Sequence, residues 1–87
     1  NEALADFKMV TQIDPAFHSA WYYQALSYEK IGFPEEWPIE KKWERLNLIK
    51  NCYGKFLQYS NSTHPDRARA EMRIEEINKY SGQILDI

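Results

Sequence analysis

Asp14-Pro15-Ala16-Phe17-His18-Ser19-Ala20-Trp21-Tyr22-Tyr23-Gln24-Ala25-Leu26-Ser27-Tyr28-Glu29-Lys30-Ile31-Gly32 is the stretch that decides how this chain folds. A residue that precedes proline is pushed out of the helical region, so Asp14 and Pro15 end any helix that comes before them. Beyond the break, Ala20, Trp21, Gln24, Ala25, Tyr28 and Ile31 recur at helical spacing and predict the inner side of a helix over 18–31. Gly32 closes that helix, because glycine takes up the left-handed conformation that follows many helices without steric cost. Pro34 then keeps the helix from resuming.

Working outward, Ala3, Phe7, Val10 and Ile13 recur at steps of four and three, which predicts a helix over 2–13 with one buried stripe. On the other side, the segment from Gly32 to Trp37 reads as a short structured loop. Pro38 suits a first helical turn, and Ile39, Trp43, Leu46, Ile49, Tyr53, Phe56 and Leu57 keep helical spacing, so a long helix is predicted over 38–59. Gly54 inside it points to a close approach by another helix. Thr63-His64-Pro65-Asp66 reads as a helix start with Thr63 as N-cap. The helix over 65–80 has Ala70, Ile74, Ile77 and Tyr80 as its stripe, Met72 alongside, and Arg67, Arg69, Arg73 and Glu75 on the wet remainder. Gly82 is placed to cap it, and the apolar Ile84, Leu85 and Ile87 are expected to fold back.

A chain of 87 residues makes a single small domain spanning 1–87, and 44% hydrophobic residues suffice to bury a core. Lys plus Arg number 11 against 13 Asp plus Glu, and the net charge of -2 gives no pull toward nucleic acid or an acidic membrane. No apolar run approaches the roughly 18 residues of a membrane span. The single cysteine, Cys52, makes no internal disulfide. A first residue other than Met suits a piece of a longer protein, and nothing in the residues fixes a compartment.

The order Asp14-Pro15, Ala20-Trp21, Ala25, Tyr28, Gly32 resembles the tetratricopeptide repeat, whose units are pairs of helices, A then B, with a period of about 34 residues. Ala3, Phe7, Val10 and Pro15 match the end of a B helix. Trp21, Ala25 and Tyr28 match the packing positions of the next A helix, with Gln24 in place of the usual leucine. The pattern departs from the family after Gly32, where Pro38 intervenes and the B helix is about two turns too long at its start. The later run from Tyr53 through Ile74 resembles divergent repeats of bacterial envelope assembly proteins, with the fourth helix as a following A-type or capping helix. The resemblance implies an all-α fold: antiparallel helical hairpins stacked as a short right-handed solenoid of about four helices, amounting to about one and a half to two repeats, the second divergent with an elongated B helix. It also implies a scaffold that binds a peptide or helix of a partner protein in a concave groove. The A-helix positions that line it are Ser19, Tyr22, Tyr23, Leu26, Glu29 and Lys30. Family members that clamp a terminal carboxylate use Lys, Asn and Arg there, so Tyr22, Tyr23 and Leu26 argue against such a clamp. The alternative functions are an array end that mediates self-association, or an accessory domain of a larger enzyme.

Candidate chemistry elsewhere is sparse. His18, His64 and Cys52 fall on different predicted elements without the paired spacing of a zinc site, so no metal is expected. Glu75 and Glu76 lie on a solvated face, no glycine loop is built to cradle phosphate, and neither a catalytic residue nor a cofactor is expected. The cations Lys41, Lys42 and Arg45, and separately Arg67, Arg69 and Arg73, are interleaved with acids, as on solvated helices. Asn61-Ser62-Thr63 is a formal glycosylation triplet in a loop. Phe33, Trp37 and Trp43 form an aromatic cluster expected either to roof over Tyr28 and Ile31 or to offer a sticky patch.

Overall fold

The break after Ile13 is built from local hydrogen bonds. The Ala16 N–H donates to the Asp14 carboxylate at 3.2 Å and the Phe17 N–H to the Asp14 carbonyl at 3.1 Å, a turn in which the aspartate side chain imitates backbone. The computed structural model describes residues 2–85, with side chains over residues 2–80, and on either side of this turn it is helical. Four helices follow in order: α1 (Glu2–Ile13), α2 (His18–Ile31), α3 (Ile39–Tyr59) and α4 (Arg67–Leu85). No strand occurs among the described residues.

Neighbours in sequence are neighbours in space, with α2 on α1, α3 on α2 and α4 on α3. Residues of α2 meet α3 in reverse order, His18 against Phe56 and Tyr28 against Arg45, so the two helices are antiparallel. Their shared core holds Tyr22, Ala25 and Tyr28 against Leu46, Ile49, Cys52, Tyr53 and Phe56, with Ala70 and Ile77 of α4 closing it from the far side. Ala25 and Ala70 are fully buried, and their small side chains let the helix backbones come close.

Several sequence expectations are corrected. The stripe that docks α1 on α2 is Leu4, Phe7 and Thr11, while Ala3, Val10 and Ile13 are exposed. Apolar residues surround α1, so spacing alone permits more than one stripe. The rotation is fixed by a buried polar pair, in which the Gln24 amide donates to Thr11 Oγ1 at 2.9 Å and to the Phe7 carbonyl at 3.3 Å. Ile31, Ile39, Met72 and Tyr80 are exposed rather than packed. A Cβ added at Gly54 would meet nothing within 4 Å, so this glycine marks no close approach.

Helix α4 begins later than the proline signal suggests and ends later than Gly82 suggests. At its start the Asp66 N–H donates to His64 Nδ1 at 3.1 Å, so the imidazole takes the cap role assigned above to Thr63, which is exposed. At its end the helical backbone runs through Gly82 to Leu85. Glycine in a helix interior costs only about 1 kcal/mol, which does not stop a helix by itself. The expected tail is therefore helical as far as Leu85, and Ile87 lies outside the described residues. Gly32, in contrast, has φ 64° and does end α2.

Candidate functional site

Ser19, Tyr23, Leu26 and Lys30 are spaced by four, three and four residues, which puts them on one face of α2. That face is open: Tyr23 is 47% exposed, Lys30 is exposed, and Ser19 and Leu26 are half-buried. Tyr23 is not loose. Its ring stacks on Phe7 of α1 with centroids 5.4 Å apart, and Tyr22 meets it edge-on at 5.8 Å. Aromatic pairs in these geometries contribute about 0.5–1.5 kcal/mol each beyond their burial, so the exposed ring is held from two sides.

The other two residues assigned to the face point elsewhere. Tyr22 is 6% exposed and packs between Tyr53 and Phe56, with centroids at 5.9 and 4.8 Å. Burial pushes its hydroxyl up from its ordinary range, and the nearby Asp66 charge adds to this. Glu29 is the centre of a lock between three helices. One carboxylate oxygen accepts from the buried Tyr53 hydroxyl of α3, the other from Arg73 of α4, and Arg73 also pairs with Glu76 at 2.8 Å. Burial opposes the charge on Arg73, but the Glu29 and Glu76 carboxylates outweigh it and hold the guanidinium more firmly protonated than usual. Burial, reinforced by the bond to Glu29, pushes Tyr53 far above the ordinary range of a phenol. Tyr22 and Glu29 therefore do not share the open face: Tyr22 packs on Tyr53 and Phe56 of α3, and the Glu29 carboxylate reaches Tyr53 of α3 and Arg73 of α4.

The aromatic residues after Gly32 are tied to the start of α3. Phe33 and Trp37 stack at 6.1 Å, Lys42 lies 5.8 Å from the Phe33 ring and Lys41 4.8 Å from Trp37. Arg45 is placed between Trp37 and Tyr28, 5.2 Å from each ring, and its guanidinium donates to the Gly32 carbonyl at 2.9 Å. Phe33 and Trp43 pack against the core. The cluster thus covers Tyr28 through Arg45 and leaves Ile31 outside. Arg45 was invisible as part of this roof because a cation at helical spacing among glutamates reads as surface. Beside the roof lies a cleft of about 430 Å³ lined by Phe33, Leu46, Arg73, Glu76, Ile77 and Tyr80.

Of the basic residues, Arg67 also turns inward, donating to the Leu57 carbonyl at 2.8 Å and to Ser60 Oγ at 2.7 Å, where it satisfies the end of α3. His18 and His64, far apart in sequence, meet with ring centroids 5.3 Å apart at an angle of 81°. The two rings meet edge to face. Among the described residues no group of three or more His, Cys, Asp or Glu is placed to hold a metal ion, and no helix is long and apolar enough to cross a membrane. Cys52 is buried, and burial pushes its thiol up to about 11, which suits a packing residue better than a nucleophile. No family model, curated protein or solved structure matches this chain, so its site is read from geometry alone.

Proposed function

We propose that this chain is a protein-interaction module in which the open face of α2 receives a peptide or helix of a partner protein. The observation that supports this reading is Tyr23, nearly half exposed yet held by Phe7 and Tyr22. An exposed tyrosine with its rotamer already fixed gives large contact area at little entropic cost, as interface anchors do. Leu26 adds an apolar step one turn on, and Lys30 a charge at the end of the row. The repeat-like order of the sequence agrees with this use, as in a short solenoid of tetratricopeptide type that offers its A helices to a ligand. The test is selection from a displayed peptide library followed by titration. Tyr23→Ala should weaken a selected peptide at least tenfold at a temperature where its thermal melt shows the variant fully folded. Equal binding by the variant removes the face from the account.

A second reading rests on the outer side of α1. Met9 is 61% and Ile13 79% exposed on α1, and Phe17, in the turn that follows, is 49% exposed. Such a surface suits contact with another helix, in a longer array or in a second copy. Sedimentation at several concentrations separates the two: self-association abolished by Ile13→Lys favours this surface, and a monomer that binds peptide favours α2.

A further inference from the structure

Helix α1 packs on α2 and helix α4 on α3, which leaves each with a side turned away from its neighbour. On α1 that side is Glu2, Asp6, Met9 and Ile13, and on α4 it is Ala68, Met72, Glu75 and Lys79, all of them exposed. Both sets are spaced by four, three and four residues, so each forms one stripe along its helix. At 1.5 Å of rise per residue each stripe is about 17 Å long. We propose that the two stripes fit each other, so that α4 of one copy docks antiparallel on α1 of a second copy and the chain associates head to tail. This rests on the reading of α1 as a contact surface and adds the partner it takes.

The direction follows from the side chains. With the stripes in register and antiparallel, Ile13 meets Ala68, Met9 meets Met72 and Glu2 meets Lys79. A large side chain lies on a small one, two flexible apolar side chains lie together, and opposite charges pair. In the parallel arrangement Glu2 meets Ala68, Asp6 meets Met72, Met9 meets Glu75 and Ile13 meets Lys79, which sets a charge against an apolar side chain at every position. The antiparallel match has one unfavourable position, Asp6 against Glu75. The Lys79 ammonium, 3.7 Å from the Glu75 carboxylate, offsets that repulsion. Antiparallel is also how α2 packs on α3 within the chain, so a second copy continues the row in the same sense. Because the two faces differ, any pair still has one of each free, and growth does not stop at two copies.

Sedimentation of the intact chain and two variants tests the proposal. Four positions a side bury well under the roughly 1,200 Å² of a standard interface, so the contact is weak and is read up to about 1 mM. Wild type should pass beyond dimer as concentration rises. Ile13→Lys spoils only the α1 stripe and Met72→Lys only the α4 stripe, so each alone should weaken association at least tenfold. Mixed, they should form a one-to-one dimer through the two intact stripes and grow no further. A wild type that stays monomeric overturns the proposal together with the reading of α1, as does Ile13→Lys that associates normally. If Ile13→Lys is monomeric but Met72→Lys still associates, α1 remains a contact surface and the head-to-tail match fails. It also fails if the mixed variants stay monomeric. Amide NMR of wild type over the same concentrations needs no variant: shifts on both stripes support the match, and shifts on one stripe alone overturn it.

Discussion

Gln24 joins the first three helices through its side-chain amide. It donates to Thr11 and the Phe7 carbonyl of α1 and receives the Cys52 thiol of α3 at 4.0 Å. An apolar residue of the same size would fill the volume but remove both bonds to α1, leaving the Thr11 hydroxyl only its bond to the Lys8 carbonyl. Gln24→Leu is accordingly expected to cost about 1–2 kcal/mol in urea unfolding, and the pair Gln24→Leu with Thr11→Val to recover at least half of that loss. Additive losses would show that the bond contributes nothing. The neighbouring Cys52 gives a chemical readout of the same packing. With its thiol raised from 9.0 to about 11, the thiolate is scarce at pH 8, and iodoacetamide should modify it roughly 100-fold more slowly in the native chain than in urea. Because the fold holds the protonated form, the stability Cys52 contributes is intact below about pH 9 and lost as pH rises toward about 11. Fast native labelling would mean that the seam between α2 and α3 opens readily.

At the scale of elements, two glycines that look alike in the sequence should respond in opposite ways. Gly32 ends α2 with φ 64° and ψ -151°, a conformation closed to other residues, so Gly32→Ala should destabilise by about 1–3 kcal/mol. Gly54 is helical with open space where a Cβ would go, so Gly54→Ala should stabilise by up to about 1 kcal/mol. Equal signs in thermal melts would contradict the assigned backbone. Trp37→Ala removes the plate that Arg45 and Phe33 lie against, and the melting temperature should drop by about 4–8 °C. An unchanged melt would mean that the roof holds nothing. The four helices were legible because proline, glycine and apolar spacing act locally on the backbone. Trp21, Ala25 and Tyr28 were legible as packing residues for the same reason, and all three contact the core. The docked side of α1 was not, because its rotation depends on Thr11, a residue whose partner is thirteen positions away. Nor was the inward turn of Glu29, which depends on where Arg73 of α4 arrives, or that of Tyr22, which depends on where Tyr53 and Phe56 of α3 arrive.

The whole molecule spans 38 × 28 × 17 Å, and its shortest dimension is less than two helix diameters of about 10 Å. A row of helices this shallow exposes part of every helix, so the question for function is which exposed part is ordered in advance. Around α1 the exposed apolar residues are large, while α4 turns Glu71, Glu75 and Lys79 outward, with Lys79 and Glu75 paired at 3.7 Å. The two ends therefore differ in character, since α4 mixes these charges with the exposed Met72 and Tyr80. Between the ends, the α2 face joins an aromatic ring held by two others to an apolar step and a cation, which is why binding is proposed there. The most direct measurement is amide NMR of the isotope-labelled chain titrated with a library-selected peptide. The account expects the largest shifts at Ser19, Tyr23, Leu26 and Lys30, with Phe7 following because it supports Tyr23. Shifts confined to Met9, Ile13 and Phe17, or to the cleft between Phe33 and Tyr80, would contradict it.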